Sequence, residues 1–454
     1  MHSGYHTDCG VSSLRKGLIS VTLDTFMTKR FSLTQSTLMI GSALLAANVN
    51  AAGFQLNAQS ATGIGRAFAG DAVIADNASV MARNSAAMAL FDETSLSLGF
   101  ETITTDIKVS DSKYCGSLGG CDDTNRLPSD DFQASNYDNA GGTSVAPNIH
   151  LIVPISDQFA IGANVYSNFG TSTGFSDSFV GSEFGGQTEV MSINFGLAGS
   201  YRINEQWSVG AGLDLVYGKG EMERTVSETL APIAEPILGT TTAIKAEADG
   251  WGVGFNLGAV YELNENNRFG IGYHYSPEIT AKGDVEFLGS QYDELTLPLP
   301  EMLEFSGYHR IEDTKFALHY SIQYIGWGVF DRITTNEDKT VRDYNWQDGM
   351  HYSLGGTYYL NSDWTLRAGY MYDTSAQDEL TSVSVPDSDR QWFSAGFTYH
   401  LDEKSNIDFG FTYLVGEEVS VSESYELNGI TLSTIEATTQ ANAILMGLQY
   451  SRSF

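Results

Sequence analysis

From Ser95 to Phe454 the chain sets apolar side chains at every second position, with Gly, Ser, Asn or a charge between them. Trp251, Val253, Phe255, Leu257, Ala259, Tyr261 and Leu263 share one parity, whereas Gly252, Gly254, Asn256, Gly258 and Glu262 share the other. Side chains of an extended chain point to opposite faces in turn, so each run presents one oily face and one that is not. The split recurs in Trp207 to Tyr217, Phe316 to Tyr324, Trp364 to Tyr372 and Ile407 to Tyr413. The links between runs decide what these strands build. Tight links near 155–158, 204–205, 264–267, 312–314, 361–363 and 402–405 alternate strictly with long ones near 109–143, 169–187, 222–248, 284–298, 328–345, 373–387 and 418–437. That is the pattern of an all-β transmembrane antiparallel β-barrel with periplasmic turns and longer external loops. About fourteen strands are expected, near 95–108, 144–154, 158–169, 188–203, 206–222, 249–263, 267–283, 299–311, 315–327, 346–360, 363–373, 388–401, 404–417 and 440–454.

Other classes fit less well. A soluble sandwich also alternates, but its outer face is richer in Lys, Glu and Thr than in Gly. The balance of 24 Lys+Arg against 56 Asp+Glu, a formal net charge of −32, excludes a nucleic-acid partner, because phosphate contacts need a basic surface. No apolar run of about 18 or more residues is available for a membrane-spanning helix, and barrel strands escape such a search because their two faces average out. No HExxH zinc helix or CxxC pair occurs, so neither an enzyme nor a cofactor or metal site is expected, and His274, His319 and His400 read as solvated lumen residues.

Residues 27–51 have the basic start, apolar middle and small-residue end of a secretory signal peptide, with Val49 and Ala51 at the two small positions before a cut. Residues 1–26 fit no targeting pattern and read as an upstream extension, with translation starting at Met27. In an oxidising compartment Cys115 and Cys121 favour a small disulfide loop, with a zinc site the weaker reading. The stretch 52–94, before the barrel at 95–454, is rich in small residues and carries apolar residues only between Gly and Asn breaks. It reads as short helical turns that need an outer wall, a plug inside the lumen.

Gly53-Phe54-Gln-Leu-Asn57, Gly63-Ile-Gly-Arg-Ala-Phe-Ala-Gly70, Ala75-Asp-Asn-Ala-Ser79, Arg83-Asn84-Ser85-Ala86 and Leu90-Phe91 resemble the mature start of the FadL family of outer-membrane long-chain fatty-acid transporters. The resemblance continues with gaps to Phe454, and a terminal Phe on an amphipathic strand resembles the signal read by the barrel assembly machinery. It implies a long-chain fatty acid captured outside, bound within the barrel against the plug, and released sideways into outer-membrane lipid. Uptake of other hydrophobic small molecules such as aromatic hydrocarbons, a surface receptor or adhesin, and a lipid hydrolase are the alternatives.

The resemblance also singles out residues. Arg224 matches an Arg of the family's carboxylate site and faces the lumen by parity; pairing to Glu221 or Glu223 is the other reading. A second basic residue of that site falls on Thr334, and Arg332 is the candidate replacement, although parity puts it outside unless Gly326 or Gly328 marks a bulge. Tyr166-Ser-Asn168-Phe-Gly170 resembles the strand whose inward kink opens a lateral gap; an ordinary strand end is the alternative. Phe175, Phe179, Val180 and Phe184, with Leu230, Ile233, Ile237 and Leu238, are expected to form an external apolar capture groove. Gly53, Phe54, Asn84, Ser85 and Ala86 belong to the plug, where Ser85 stands in place of the family's Pro and restores one N–H.

Overall fold

The computed structural model describes residues 53–57, 59–116, 133–378, 380–427 and 429–454. The expected extension 1–26, the expected leader 27–51 and Cys121 lie outside them, and Cys115 is disulfide-bonded. Twenty strand segments form one antiparallel sheet that lines up as fourteen staves. The ring closes where Ser95–Gly116 pairs with Ile430–Ser453, Ser95 opposite Ser453 and Gly116 opposite Ser433. Closure joins the first stave to the last, as a sheet that crosses lipid requires.

Leu197, Leu213 and Val253 are among the most exposed outward residues. Rings bracket this band, with Trp207 against Tyr261 (4.7 Å) at one level and Tyr217 against Trp251 (5.1 Å) at the other. At about 3.3 Å per residue and a tilt of about 40°, Trp207 to Tyr217 rises roughly 25 Å, the height of a lipid-facing girdle. The expected limits hold at the tight turns, whereas the strands run past the expected outer ends, with Ser95–Gly116, Thr242–Asn264 and Ile430–Ser453 starting or stopping well beyond 108, 249 and 440. Outside lipid both faces of a ladder are wet, so the ladder continues after the alternation that reveals it has faded. The long links also hold structure of their own: the helix Ala231–Leu238 and the strands Ser290–Leu297, Arg332–Thr335, Thr340–Asp343 and Val419–Leu427.

Residues 53–57 and 59–91 fill the ring and are almost entirely buried. They form the one-turn helix Ala61–Ile64 and the 3-10 turns Ala78–Ala82 and Ser85–Leu90, capped by the side chains of Ser60, Asn77 and Asn84. Turns this short have no stability of their own and depend on the wall. Asn84 accepts from the Ala86 N–H and donates to the carbonyls of Ala72 (2.7 Å) and Ala259 (3.1 Å), tying the turn both to the plug and to a stave. Ser85 opens its turn at the position where a helix does not use the N–H, so Pro and Ser suit the same backbone there.

The inner wall has a reason for its glycines beyond forming a small polar lining. A methyl group at Gly210 or Gly258 would overlap Asn84 to Ala86, one at Gly369 would overlap the Arg66 carbonyl, and one at Gly447 would stand 2.9 Å from Ala61 Cα. Plug backbone lies directly on wall backbone. Polar ties complete the seat: the Gly70 N–H donates to Ser321 Oγ (2.9 Å), the Ala78 N–H to Ser97 Oγ (3.0 Å), and Arg202 to the Ala89 carbonyl (2.9 Å). Arg83 pairs with Glu304 at 2.6 Å, and Asp76 takes Arg66 (3.0 Å) and Arg367 (3.1 Å) together.

Candidate functional site

One stave is broken. Phe159–Tyr166 and Gly170–Gly174 both pair with Gln187–Arg202, but Tyr166 faces Asn194 while Gly170 faces Met191, so the broken stave carries one more residue than its partner across the break. On the other side, pairing with Thr143–Ser156 runs from Ser156–Phe159 only to Ile149–Val165. Beyond it, the next backbone bond between these two stretches among the described residues is the Gly174 N–H to the Ala140 carbonyl, at 2.9 Å. The wall therefore has a gap between 143–148 and 166–174. The first described residues of the plug sit behind it, with the Leu56 N–H donating to Asn168 O and the Gly170 N–H donating to Phe54 O (2.7 Å). Asn168 and Gly170 thus hold the plug's leading end at the break.

Behind the gap lies an aromatic chamber filled by its own packed side chains. Phe54 is its centre, with ring centroids of Trp327 at 4.7 Å, Phe330 at 5.0 Å, Trp346 at 5.5 Å and Phe169 at 6.2 Å. The stave that supplies Trp327 and Phe330 leaves its ladder after Ile325 and turns inward through the 3-10 turn Trp327–Val329. Gly53 precedes Phe54 at φ +54°, and a Cβ there would stand 2.6 Å from Trp327 and 2.8 Å from Trp346. Only Gly both adopts that conformation readily and leaves the rings room.

Arg224 closes the chamber's outer side. It is 5 % exposed, and its Nη2 donates to Ser384 Oγ (2.8 Å) and Thr188 Oγ1 (3.3 Å), while its Nε has no partner. Arg66, Arg83, Arg367 and Arg390 are buried too, and each has a carboxylate within 3.1 Å. Among the described residues, Arg224 is the buried arginine without one. A second guanidinium, Arg342, shares its cavity and pairs with Glu423 at 2.5 Å. The structure puts the expected Arg332 elsewhere: it is about half exposed and pairs with Asp331 at 2.7 Å. The break after Ile325 moves Trp327 and Phe330 inward without turning Arg332 in; Ile333 is the buried residue, and it faces Arg342 across the hairpin. Sequence reasoning missed Arg342 by assigning 328–345 to a loop. Its signal was there, since Arg342, Tyr344 and Trp346 share a parity.

Arg224 lines two outer cavities. One, of about 710 Å³, is walled by Phe175, Phe179, Val180 and Val226; the other, of about 460 Å³, by Phe184, Phe287, Arg342 and Tyr425. Both lie within the range of about 300–1,000 Å³ usual for small-molecule sites. The Phe175 and Phe179 rings pack at 4.6 Å in a tilted arrangement, while Phe179 and Phe184 are buried with Tyr114 and Ile435. Ile233 and Ile237 sit on the helix Ala231–Leu238 and line neither cavity, Ile237 standing 60 % exposed. The helix instead buries Ala234 against Val226, Leu230 and Leu432. Glu183 fastens this cap by accepting from Tyr114 Oη (2.8 Å), the Ser227 N–H (3.1 Å) and Ser433 Oγ, and burial raises its carboxyl pKa.

The chain matches one family model, described as "Outer membrane protein transport protein (OMPP1/FadL/TodX)", over residues 42–454. The chain belongs to the FadL family. It is 34% identical to a Salmonella typhi long-chain fatty acid transport protein across 87% of this chain and 95% of that one. A Pseudomonas aeruginosa FadL homologue of known structure, 21% identical, superposes with a TM-score of 0.77 over 89% of this chain and 100% of its own. The Pseudomonas putida toluene transporter TodX, 20% identical, does so with a TM-score of 0.61 over 83% and 94%. As a FadL-family barrel, the protein spans the outer membrane many times.

Proposed function

We propose that the protein takes up long-chain fatty acids, which enter by the external cavities, place the carboxylate at Arg224 and Arg342, lay the tail in the chamber around Phe54, and leave through the gap beside Gly170. The observation that carries this reading is the buried guanidinium of Arg224 without a carboxylate partner among the described residues. Burying an uncompensated charge costs several kcal/mol, and an incoming carboxylate offsets that cost with charge-assisted, bidentate hydrogen bonds. Each methylene moved from water into the chamber adds about 0.8 kcal/mol. The same gain awaits the tail in outer-membrane lipid, so the tail has no reason to pass through water on leaving.

The relatives named for fatty-acid transport support the cargo class. The aromatic chamber and the structural likeness to TodX favour a second reading, uptake of neutral hydrocarbons. Binding to the purified protein separates the two. Oleate is expected to bind, and Arg224→Ala to weaken it by about 1.5–3 kcal/mol, the worth of a hydrogen bond to a charged group. Equal binding of an alkane of the same length, with no effect of Arg224→Ala, would make hydrocarbons the cargo. We also propose that the leader 27–51 is cut after Ala51, which N-terminal sequencing of the exported protein reads directly, and that the exposed C-terminal Phe454 is presented to the assembly machinery.

A further inference from the structure

The connection from Asp373 to Arg390 folds into the barrel mouth instead of outward, burying Ala376, Val383 and Ser384 completely. Its base is braced: Arg390 pairs with Asp373 (3.1 Å) and Asp387 (3.5 Å), and Asp387 accepts from the Ala376 N–H (2.7 Å). Its far end touches both arginines of the anion seat, with Arg224 donating to Ser384 Oγ at 2.8 Å and Arg342 to Ser382 Oγ at 2.9 Å. The Val383 N–H donates to Glu423, and Thr173, at the rim of the lateral gap, donates to the Ser384 carbonyl. Val383 packs in the outer cluster with Phe179 and Phe184, whereas Ala376 and Val385 pack in the chamber with Phe54. Residues two apart thus pack into different clusters, and this strap lies between them.

A hydroxyl is a neutral acceptor, and a carboxylate bonds the same N–H groups about twice as strongly. We propose that the strap is an internal competitor for the anion seat: Ser384 occupies the Arg224 donor until a carboxylate takes it, and that exchange frees the strap and joins the outer cavity to the chamber. The inference rests on the carboxylate reading above. It makes the headgroup a key as well as an anchor, since a neutral ligand of equal length cannot compete for Arg224 and leaves the strap in place. The opening is therefore selective for anionic amphiphiles.

Maleimide labelling of Val383→Cys in the full-length protein tests this, because the replaced side chain makes none of these hydrogen bonds. Labelling is expected to be slow, to accelerate roughly tenfold or more with oleate, and to stay slow with oleyl alcohol or when Arg224→Ala is added. Protein without the added cysteine gives the background. If oleate binds in an Arg224-dependent manner while labelling stays slow, the strap proposal is overturned and the carboxylate reading survives. If oleate binding ignores Arg224→Ala, the carboxylate reading fails and the strap proposal goes with it. Should Val383→Cys fail to fold, Ser384→Ala serves instead: oleate is expected to bind severalfold more tightly with oleyl alcohol unchanged, and an unchanged or weaker oleate affinity overturns the proposal.

Discussion

Arg224 and Arg342 sit in one cavity but stand in opposite energetic situations. Arg224 is a buried charge with no carboxylate in ion-pair contact among the described residues, so replacing it with an apolar side chain of similar length removes a desolvation penalty. Arg224→Met is therefore expected to raise the thermal unfolding midpoint in detergent even as oleate binding falls. Arg342 compensates Glu423, and Arg342→Met strands that acid; a loss of about 1–3 kcal/mol is expected in the same measurement. A stability gain at one arginine and a loss at its neighbour is what separates a binding group from a structural one. Glu183 offers a test by pH. Because burial raises its pKa, the folded cap holds the proton more tightly than the opened one. The stability this contributes is full below the usual carboxylate range of about 4.3 and fades as pH rises through the raised value. Amide exchange around Phe179 and Phe184, corrected for intrinsic rates, is expected to quicken with rising pH, and Glu183→Gln to flatten that dependence.

At the level of elements, the plug and the wall are matched surfaces. Gly258 lies against Asn84 and Ala86 with no space for a side chain, so Gly258→Val and the seated turn Ser85–Leu90 exclude one another. The variant is expected to admit small sugars in a liposome-swelling assay where the parent stays closed. The staves were legible in the sequence because lipid on one side imposes a period of two on every segment that crosses it, which is why Trp251 to Leu263 announces itself. The plug was legible by the opposite sign, small residues with no period. The strap was not. Its buried residues are Ser, Ala and Val with Gln377 and Asp387 in irregular order, and nothing local distinguishes a connection that folds into a barrel mouth from one that projects into water. Arg332 was chosen for its nearness to Thr334, but inward direction on a broken stave is set by the ladder that resumes after the break, and that ladder points Ile333 and Arg342 inward.

The described residues form an oily cylinder filled by residues 53–57 and 59–91, and the two surfaces of the cylinder tolerate change differently. Leu213, 65 % exposed between the two ring levels, faces lipid. Leu213→Arg is expected to lower stability in bilayers by about 2–4 kcal/mol, against almost nothing for Glu205→Arg in a tight turn, measured by reversible unfolding from vesicles. The inner surface has a more particular property. With wall glycines set against plug backbone around the ring, the insert fits like a key in a keyway, and turning it as one piece drives main chain against main chain. Passage past it begins at its tip, where two backbone hydrogen bonds hold Phe54 and Leu56 to the broken stave.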